Sequence, residues 1–333
     1  MGVPMQRIAT GRLFPVAVLA TTLFSVAPMP RAFGADTFPS RPIRIIVSSA
    51  PGSGPDVIAR LLGPSLTAVL GQSVVVDNRT GAGGNIGGEL AAHAAADGYT
   101  LLMATANHAI GMSLYSKLNY DLLRDFSAIS QLAATPYLLV VNPGFSAKSV
   151  SELIVVAKRR PAAVNYGSGG SGSPPHLATE VFCSMAGVRM THVPFKGVTP
   201  ALADLMAGRL EVVFSAVPAA LPLVKAGKLR ALGISSAQRS ALAPEVPVIR
   251  DAVPGYEVLG WYGLIAPTRT PGVVVSRLHT AAVQALQFEE LRQKLLASGA
   301  EPLGTGPVQF AGVLRNEVSR WQQAVRESGA RAE

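Results

Sequence analysis

The sequence predicts an α/β protein of two lobes, each with a mainly parallel sheet flanked by helices. Its 333 residues are enough for two domains of ordinary size, each with its own core. Hydrophobic residues make up 49% of the chain and charged residues 15%, which excludes intrinsic disorder and fits an apolar-rich α/β protein. Short β-branched runs alternate with amphipathic segments, a pattern typical of parallel strands joined by helices.

The first 34 residues are typical of an export signal. Arg7 and Arg12 form the basic start, Leu13–Ala27 the apolar stretch and Ala32-Phe33-Gly34 a small-x-small cleavage site. The apolar stretch holds 15 residues, fewer than the roughly 18 needed to cross a bilayer. We therefore expect a cleaved signal peptide over residues 1–34 and a mature protein in the periplasm.

A first series of strands and helices begins at Arg44. The β-branched segment Arg44–Ser49 predicts a strand, and the apolar spacing in Asp56–Leu70 predicts a helix. The further predicted elements are a strand at Val74–Val76, a helix from the glycine-rich loop Gly81–Asn85 to about Ala96, and a strand at Tyr99–Ala104. Because ligands of parallel sheets collect beyond the carboxyl ends of the strands, we expect the loops after these strands to face a ligand.

A second series begins near Leu138 and resembles the first in kind. Its predicted strands are Leu138–Val141, Val164–Tyr166, Val188–Phe195, Val212–Phe214, Leu229–Ile234 and Tyr256–Ile265. Its predicted helices run from Ser149 or Ser151 to Arg159, from an N-cap at Thr199 with Pro200 at the first helical position, and over Val273–Ser298 and Val308–Ser328. No long Gly/Ser linker separates the series, so the chain is expected to cross between lobes through strands near Tyr137 and Tyr256.

Two loops of glycine, serine and proline share one design: the first loop, Ala50–Asp56, and the second loop, Gly167–His176. Each follows a strand-like run and opens a helix. Glycine lets the backbone approach a ligand, serine caps a helix and proline fits the first helical position. Unpaired N–H groups and the positive end of the helix dipole suit such a junction to a carboxylate or phosphate. Two such loops predict a ligand held from two sides.

The candidate ligand contacts lie in these loops and at other strand ends. Thr105, Asn107 and His108 follow the third predicted strand and offer hydroxyl, amide and imidazole groups, with loop capping as the alternative role. The full set of candidates is Pro51, Gly52, Ser53, Gly54, Asp56, Thr105, Asn107, His108, Ser168, Gly169, Gly170, Ser171, Ser173, His176, Phe195, Lys196, Gly197, Thr199 and Ser215.

Two charged candidates have structural alternatives. Asp56 falls in the first turn of a helix, where the dipole stabilises a carboxylate by roughly 0.3–1 kcal/mol, so a structural role explains it as well as contact with a ligand ammonium or a bridging water. Lys196 lies on a strand-to-helix loop, where it either complements a carboxylate or is a solvated surface lysine.

The charge balance favours a small anionic organic solute. Formal net charge is +9, and it becomes +6 when residues 1–34, which hold three arginines and no acid, are removed. The basic residues are scattered, the longest run being Lys158–Arg160, and no aromatic platform is interleaved with them. We therefore expect no nucleic-acid partner.

Catalytic motifs are missing from the sequence. Its five histidines show no metal-ligand spacing such as H-E-x-x-H, and no G-x-S-x-G elbow occurs. The single cysteine, Cys183, falls within a helical pattern among apolar residues and is expected in the core. We expect a protein that is not an enzyme, with no cofactor and no metal.

Two enzymatic alternatives stay open. Gly167–Gly172 satisfies G-x-G-x-x-G after a strand, as in dinucleotide-dependent enzymes, but the next strand offers Arg189 and His192 where an acid would hold the ribose. His176 follows Ser173 by three residues and could activate it for acyl transfer or hydrolysis, but no orienting acid is adjacent.

The mature chain resembles one family along its whole length. The matching segments are Pro39–Arg44, Ala50–Asp56, Asn78-Arg79, Gly81–Gly87, Asp97–Leu101, Gly167-Ser168, Ser173, His176–Ala178, His192–Gly197, Pro200-Ala201, Asp204-Leu205, Gly227–Leu232, Pro254–Glu257 and Trp261–Leu264. On these segments the chain is identified as a member of the periplasmic solute-binding proteins of tripartite tricarboxylate transporters, the Bug family.

The resemblance implies a type II-like periplasmic binding protein that closes around a solute like a Venus flytrap. Lobe 1 is then residues 35–137 plus 257–333, and lobe 2 is residues 138–256. The implied ligands are di- and tricarboxylates, acidic amino acids and aromatic acids. The implied partner is a membrane permease of the tripartite tricarboxylate type or, for some members, a sensor kinase. We expect a monomer.

The first loop departs from the family pattern Pro-Gly-Gly-Gly-Thr-Asp. This chain has Ser53 for the middle glycine and Pro55 for the threonine. Proline removes one N–H and one hydroxyl from the loop. The resemblance therefore does not carry a particular ligand over to this chain.

Overall fold

The computed structural model describes residues 1–2, 38–195 and 197–328, so the predicted signal peptide lies almost entirely outside the described residues. Residues Ala35–Glu333 form one compact unit. Its strands are β1 (Ile43–Val47), β2 (Val74–Asn78), β3 (Thr100–Thr105), β4 (Phe126–Val141), β5 (Asn165–Ser168), β6 (Thr191–Pro194), β7 (Val212–Ala216), β8 (Arg230–Ile234), β9 (Leu259–Pro267) and β10 (Glu301–Pro302).

Helices follow most of the strands. They are α1 (Gly54–Leu70), α2 (Asn85–Ala92), α3 (Ala106–Leu114), α4 (Val150–Arg159), α5 (Pro174–Ala186), α6 (Val198–Met206), α7 (Val217–Lys225), α8 (Gly272–Leu286), α9 (Glu289–Ala297) and α10 (Pro307–Ser328). Within the described part of the chain, none of these helices is both long and apolar enough to cross a membrane.

The strands form two sheets that share β4. In the first sheet β1 lies between β2 and β3, parallel to both, and β9 pairs antiparallel with β3. In the second sheet β5 lies between β6 and β7, parallel to both, and β4 pairs antiparallel with β7 and β8. The order along the path is β2-β1-β3-β9-β4-β7-β5-β6. The predicted α/β architecture is confirmed, and the antiparallel pairs in the described residues all involve β4 or β9.

Strand β4 belongs to both sheets. It is 16 residues long; Phe126–Pro136 pairs with β9, whereas the residues from Tyr137 onward pair with β7 and β8. The strand therefore changes partners at Tyr137, near the predicted crossing point. The lobe boundaries themselves stay a prediction.

The amino-terminal half of β4 is absent from the predicted elements. Ser130, Gln131 and Thr135 interrupt its apolar pattern, yet all three are buried. Ser130 Oγ donates to the carbonyl oxygen of Thr305 at 2.9 Å, and the N–H of Gln131 donates to Thr305 Oγ1 at 3.2 Å. Because hydrogen-bonded polar groups are tolerated in a core, tertiary contacts sustain a strand that the local pattern does not predict.

The predicted single helix Val273–Ser298 is wrong, because the chain forms α8 and α9 there. Phe288 is extended and serves as the N-cap of α9. Glu289 and Glu290 then occupy the first turn, where the helix dipole favours acidic side chains. These two acids were a signal for a new helix start.

Two other predicted helix boundaries are wrong by a few residues. Helix α6 begins at Val198 with Gly197 as its N-cap, so Thr199 and Pro200 lie inside the first turn. A proline is tolerated there because first-turn residues need no N–H for the helix. Helix α2 ends at Ala92 rather than at about Ala96.

The contact between β9 and α10 at Gly263 predicts a stability effect. A Cβ at Gly263 would lie 2.2 Å from Cζ of Phe310, a fully buried ring. Gly263→Ala should therefore lower the free energy of unfolding by roughly 1–3 kcal/mol through overpacking, as measured by urea denaturation. The matched control is Gly272→Ala at the start of α8, where no heavy atom lies within 4 Å, and it should be neutral or slightly stabilising. Equal losses in both variants would contradict the packing argument.

Candidate functional site

The loops that follow the parallel strands lie at one edge of each sheet. Because β1, β2 and β3 run parallel, the first loop, the glycine loop Gly81–Asn85 and the start of α3 share an edge. Because β5, β6 and β7 run parallel, the second loop and the starts of α6 and α7 share an edge of the second sheet. These carboxyl ends are where ligands of α/β sheets bind.

A small cavity of about 20 Å³ lies at the edge of the first sheet. Its lining residues are Ser48, Ser49, Pro55, Gly83, Gly84, Met103, Thr105, Asn107 and His108. This volume accommodates about one water molecule or a similarly small group.

A larger cavity of about 210 Å³, called the cleft below, adjoins the small cavity. Gly83 and Asn107 line both. The other walls of the cleft are Ile110, Gly111, Leu114, Tyr115, Ser171, Gly172, Ser173 and Pro174. A Cβ at Gly172 would lie 2.8 Å from Cδ2 of Leu114, so the second loop touches α3 directly. The cleft therefore joins elements of both sheets.

Asp56 is buried beneath the first loop and is hydrogen-bonded to it. It is 2% exposed, and its carboxylate accepts hydrogen bonds from the Gly52 N–H at 2.8 Å, Asn78 Nδ2 at 2.9 Å and Arg60 Nε at 3.0 Å. Burial by itself raises the pKa of Asp56, but the hydrogen bonds from Arg60, Gly52 and Asn78 and the charge of Arg60 outweigh burial and hold the pKa below its ordinary value. Of its two candidate roles, these contacts support the structural one.

His108 caps the start of α3. Its Nδ1 accepts the Thr105 N–H at 3.1 Å, so in the neutral ring Nε2 carries the proton and donates to Ser48 Oγ at 3.0 Å. Burial lowers the pKa of His108 from 6.5 to about 4. Because Ser48 Oγ accepts from the ring, its own proton is left to donate into the small cavity.

The second loop folds around acceptors of its own. The Gly170 N–H donates to Ser168 Oγ at 3.1 Å, and the Gly172 N–H donates to His176 Nδ1 at 3.0 Å. The N–H and the hydroxyl of Ser173 both donate to the Gly170 carbonyl oxygen, at 3.1 and 2.7 Å. The next two residues are prolines without N–H groups, so the start of α5 offers few free amides.

The prediction that N–H groups of the two loops are unpaired and free to bind a ligand is therefore wrong for three amides. Those of Gly52, Gly170 and Gly172 are already paired with protein side chains. What the described loops present to the two cavities is mainly side-chain hydroxyl and amide groups. Five predicted contacts line the cavities: Thr105, Asn107, His108, Ser171 and Ser173.

Other predicted contacts lie away from the cavity walls. The positions outside both linings are Pro51, Gly52, Ser53, Gly54, Asp56, Ser168, Gly169, Gly170, His176, Phe195, Gly197, Thr199 and Ser215. Ser215 is fully buried within β7, Phe195 packs against a hydrophobic cluster, and Thr199 is exposed. Lys196 lies outside the described residues.

Other residues of the cavity walls were not predicted from the sequence. They line the cavities because of the backbone conformation or the packing of the elements on which they lie. They are Ser48, Ser49, Pro55, Gly83, Gly84, Met103, Ile110, Gly111, Leu114, Tyr115, Gly172 and Pro174. The available signal was the glycine loop: Gly83 and Gly84 have φ of 65° and 105°, in the region that favours glycine. A Cβ at Gly83 would lie 2.7 Å from the hydroxyl oxygen of Tyr115.

With the strand-end loops and the cleft described, the comparisons with known proteins identify the family. Residues 58–330 match the family described as "Tripartite tricarboxylate transporter family receptor". The chain belongs to this family. Protein BugT of Bordetella pertussis is 37% identical over 325 residues, which cover 97% of this chain and 98% of BugT. The resemblance to the Bug family drawn from the sequence is confirmed.

Solved structures of similar proteins support the same fold. Rpa4515 of R. palustris, solved with adipate, is 36% identical with a TM-score of 0.73, covering 88% of this chain and 99% of its own. MatC (Rpa3494) from Rhodopseudomonas palustris, with bound malate, is 33% identical with a TM-score of 0.70, covering 86% and 100%. The two-lobed periplasmic binding protein fold is thus confirmed.

Membership of the receptor family also decides between receptor and enzyme. The family consists of transporter receptors that bind substrate, not of enzymes. The dinucleotide alternative rested on Gly167–Gly172, and the internal pairing of the Gly170 and Gly172 amides leaves that loop poorly suited to a pyrophosphate.

Neutral histidines that are buried or half-buried predict that stability falls in acid. The pKa values of His108, His176 and His192 are lowered from 6.5 to about 4, so the unfolded chain binds their protons first. Their contribution is complete above pH 6.5 and is lost as the pH falls to about 4. The free energy of unfolding, measured in urea at several pH values, should decrease across this window.

The variant His108→Asn isolates one of the three histidines. Its side-chain oxygen can still accept the Thr105 N–H but does not titrate. Between pH 6.5 and 4 the free energy of unfolding of this variant should fall less than that of the wild type, by up to about 3 kcal/mol. A variant with the full wild-type pH dependence would contradict the assignment of His108.

Proposed function

We propose that this protein is a periplasmic receptor that captures a small carboxylate in the cleft for a tripartite tricarboxylate-type transporter. The solute class is a di- or tricarboxylate, an acidic amino acid or an aromatic acid. The observation that carries the proposal is the meeting of side chains from both sheets around one cavity: the amide of Asn107 lies on one side and the hydroxyl of Ser171 on the other, next to Ser173, whose own proton is donated to Gly170.

The electrostatics of the site favour an anion without a charged side chain. Among the described residues that line the two cavities none carries a charge at neutral pH, since His108 is neutral. Helix α5 begins at the cleft and α3 begins at the small cavity, so the positive ends of these two helix dipoles lie at the site. A carboxylate placed there is stabilised by dipoles and hydroxyl donors rather than by an ion pair.

The size of the cleft favours a small acid over a nucleotide. Its volume of about 210 Å³ is below the roughly 300–1,000 Å³ typical of sites for drug-sized ligands. The adjoining cavity of about 20 Å³ suits one carboxylate oxygen or a bridging water, which the Ser48 hydroxyl can hold.

The similar structures support a carboxylate ligand. One neighbour was solved with adipate and another with malate, both dicarboxylates. Their identities to this chain, 36% and 33%, support the ligand class but not a particular acid.

We propose delivery to the membrane components of the transporter rather than signalling to a sensor kinase, because the family description names a transporter. Export through a cleaved signal peptide over residues 1–34 agrees with a periplasmic receptor, and we propose that the receptor is a monomer.

The proposal is tested by binding without turnover. A thermal-shift screen of organic acids should raise the melting temperature through mass action, and calorimetry then gives the dissociation constant. Asn107→Asp keeps the shape of a side chain that lines both cavities but adds a negative charge, so it should weaken binding of the best acid by on the order of tenfold or more.

Gln322→Glu is the matched control, since it adds the same charge at an exposed position of α10 outside both cavities. It should bind as the wild type does. The proposal fails if no carboxylate in a broad panel stabilises the protein, or if Asn107→Asp and Gln322→Glu bind the best acid equally well.

A further inference from the structure

Three aromatic rings stack behind the second loop. The rings of His176 and His192 are 3.9 Å apart between centroids and only 11° from parallel. Tyr166 of β5 stacks beyond them, with its centroid 5.0 Å from that of His192. None of the three lines the cleft. The stack therefore contacts the loop that forms the wall and not the space that the wall encloses.

Each histidine of the stack is hydrogen-bonded to the second loop. His176 Nδ1 accepts the Gly172 N–H at 3.0 Å, and Nε2 of His192 lies 2.6 Å from Ser168 Oγ. An amide nitrogen can only donate, so Nδ1 of His176 is unprotonated and the ring is neutral with its proton on Nε2. The two contacts hold the beginning and the end of the glycine-rich turn.

The held segment is a wall of the cleft. Ser171, Gly172 and Ser173 line it, and Gly172 lies against Leu114 of α3. Gly170 and Gly172 have φ of 124° and 72°, and because glycine adopts many backbone conformations, the hydrogen bonds of the turn select this one. Loss of the Gly172 bond would therefore release the part of the turn that faces the solute.

We infer that His176, stacked on His192, is a positioning residue of the ligand site that holds the Gly172 turn in its cleft-lining form only while its ring is neutral. The inference rests on the proposed function in that the turn is taken as a wall of a solute-binding cleft. In the imidazolium form both ring nitrogens carry protons, so Nδ1–H of His176 would oppose the Gly172 N–H. Acid should therefore open this wall.

The groups around the pair determine the sign of this effect. Glu180 of α5 and Tyr166 of β5 lie against it among the described residues; Glu180 Oε1 lies 3.9 Å from His176 Nε2 and accepts the Tyr166 hydroxyl proton. The Glu180 carboxylate at this position favours the charged form of the His176 ring. Burial of His176 and the neighbouring His192 outweigh it and lower the pKa of His176 to about 4. At neutral pH the contact with Glu180 is therefore not an ion pair.

Amide hydrogen exchange, followed by NMR at single residues in the solute-free protein, tests the positioning role. An exposed histidine ring titrates near 6.5 and the held ring near 4, so the protection factor of the Gly172 amide should fall about 25-fold between pH 7.5 and pH 5. In His176→Asn the side-chain oxygen replaces Nδ1 as acceptor without titrating, and most of this pH dependence should disappear. The Thr105 amide, held by His108, should keep its pH dependence in that variant and serves as the internal control.

Binding of adipate and malate, measured by calorimetry at pH 7.5, tests the consequence for the site. His176→Leu removes the acceptor and should weaken binding by on the order of tenfold, and His176→Asn should restore most of the affinity. If His176 contributed only to stability, the affinity would not depend on whether the replacing side chain carries an acceptor.

The outcomes distinguish the two proposals. Gly172 protection that does not depend on pH, or that shows the same dependence in His176→Asn, overturns the positioning role whether or not a solute binds. If His176→Leu and the wild type bind with equal affinity, His176 is not needed for binding. If neither these two acids nor a broad panel binds to the wild type, the proposed function fails, and the exchange experiment still decides what His176 does to the turn.

Discussion

The antiparallel pairing of β4 with both sheets is the constraint on which the rest of the structure depends. One half of this strand pairs with β9 and the other half with β7 and β8, so the hydrogen bonds of a single buried strand set the position of one group of loops relative to the other. The register with β9 shifts twice, after Ala128 and after Gln131. Such irregularities bend a strand and increase its twist. The two loop groups that wall the cleft are therefore connected through this strand.

The protein keeps ionised side chains out of the cavity walls that the structure describes. Asp56 is buried beneath the first loop and paired with Arg60 of α1, and His108 and His176 are neutral and hydrogen-bonded at the starts of α3 and α5. The field in the cleft therefore comes from helix ends and hydroxyl groups. Dipoles of this kind recognise negative charge with little dependence on the carbon skeleton that bears it, and two similar proteins were solved with different dicarboxylates, adipate and malate.

The alternation of strands and helices was predictable because each element carries its own apolar period, and the glycine loops mark where helices begin. The amino-terminal half of β4 was not, since Ser130 and Gln131 interrupt its apolar pattern and are hydrogen-bonded to Thr305, 174 residues or more along the chain. In the site, Asn107 and Ser171 were predictable from loop chemistry. Leu114 and Tyr115 were not, because they reach the wall only through the packing of α3 against the second loop.

The internal pairing of the loop amides has a thermodynamic consequence for capture of a solute. Turns whose N–H groups are already satisfied by Asp56, Ser168 and His176 keep their shape in the empty protein. Preorganisation of this kind avoids part of the ordering entropy, roughly 0.5–1.5 kcal/mol for each flexible side chain that association would otherwise immobilise. Walls that are already in shape leave more of the contact energy for holding a solute of few atoms.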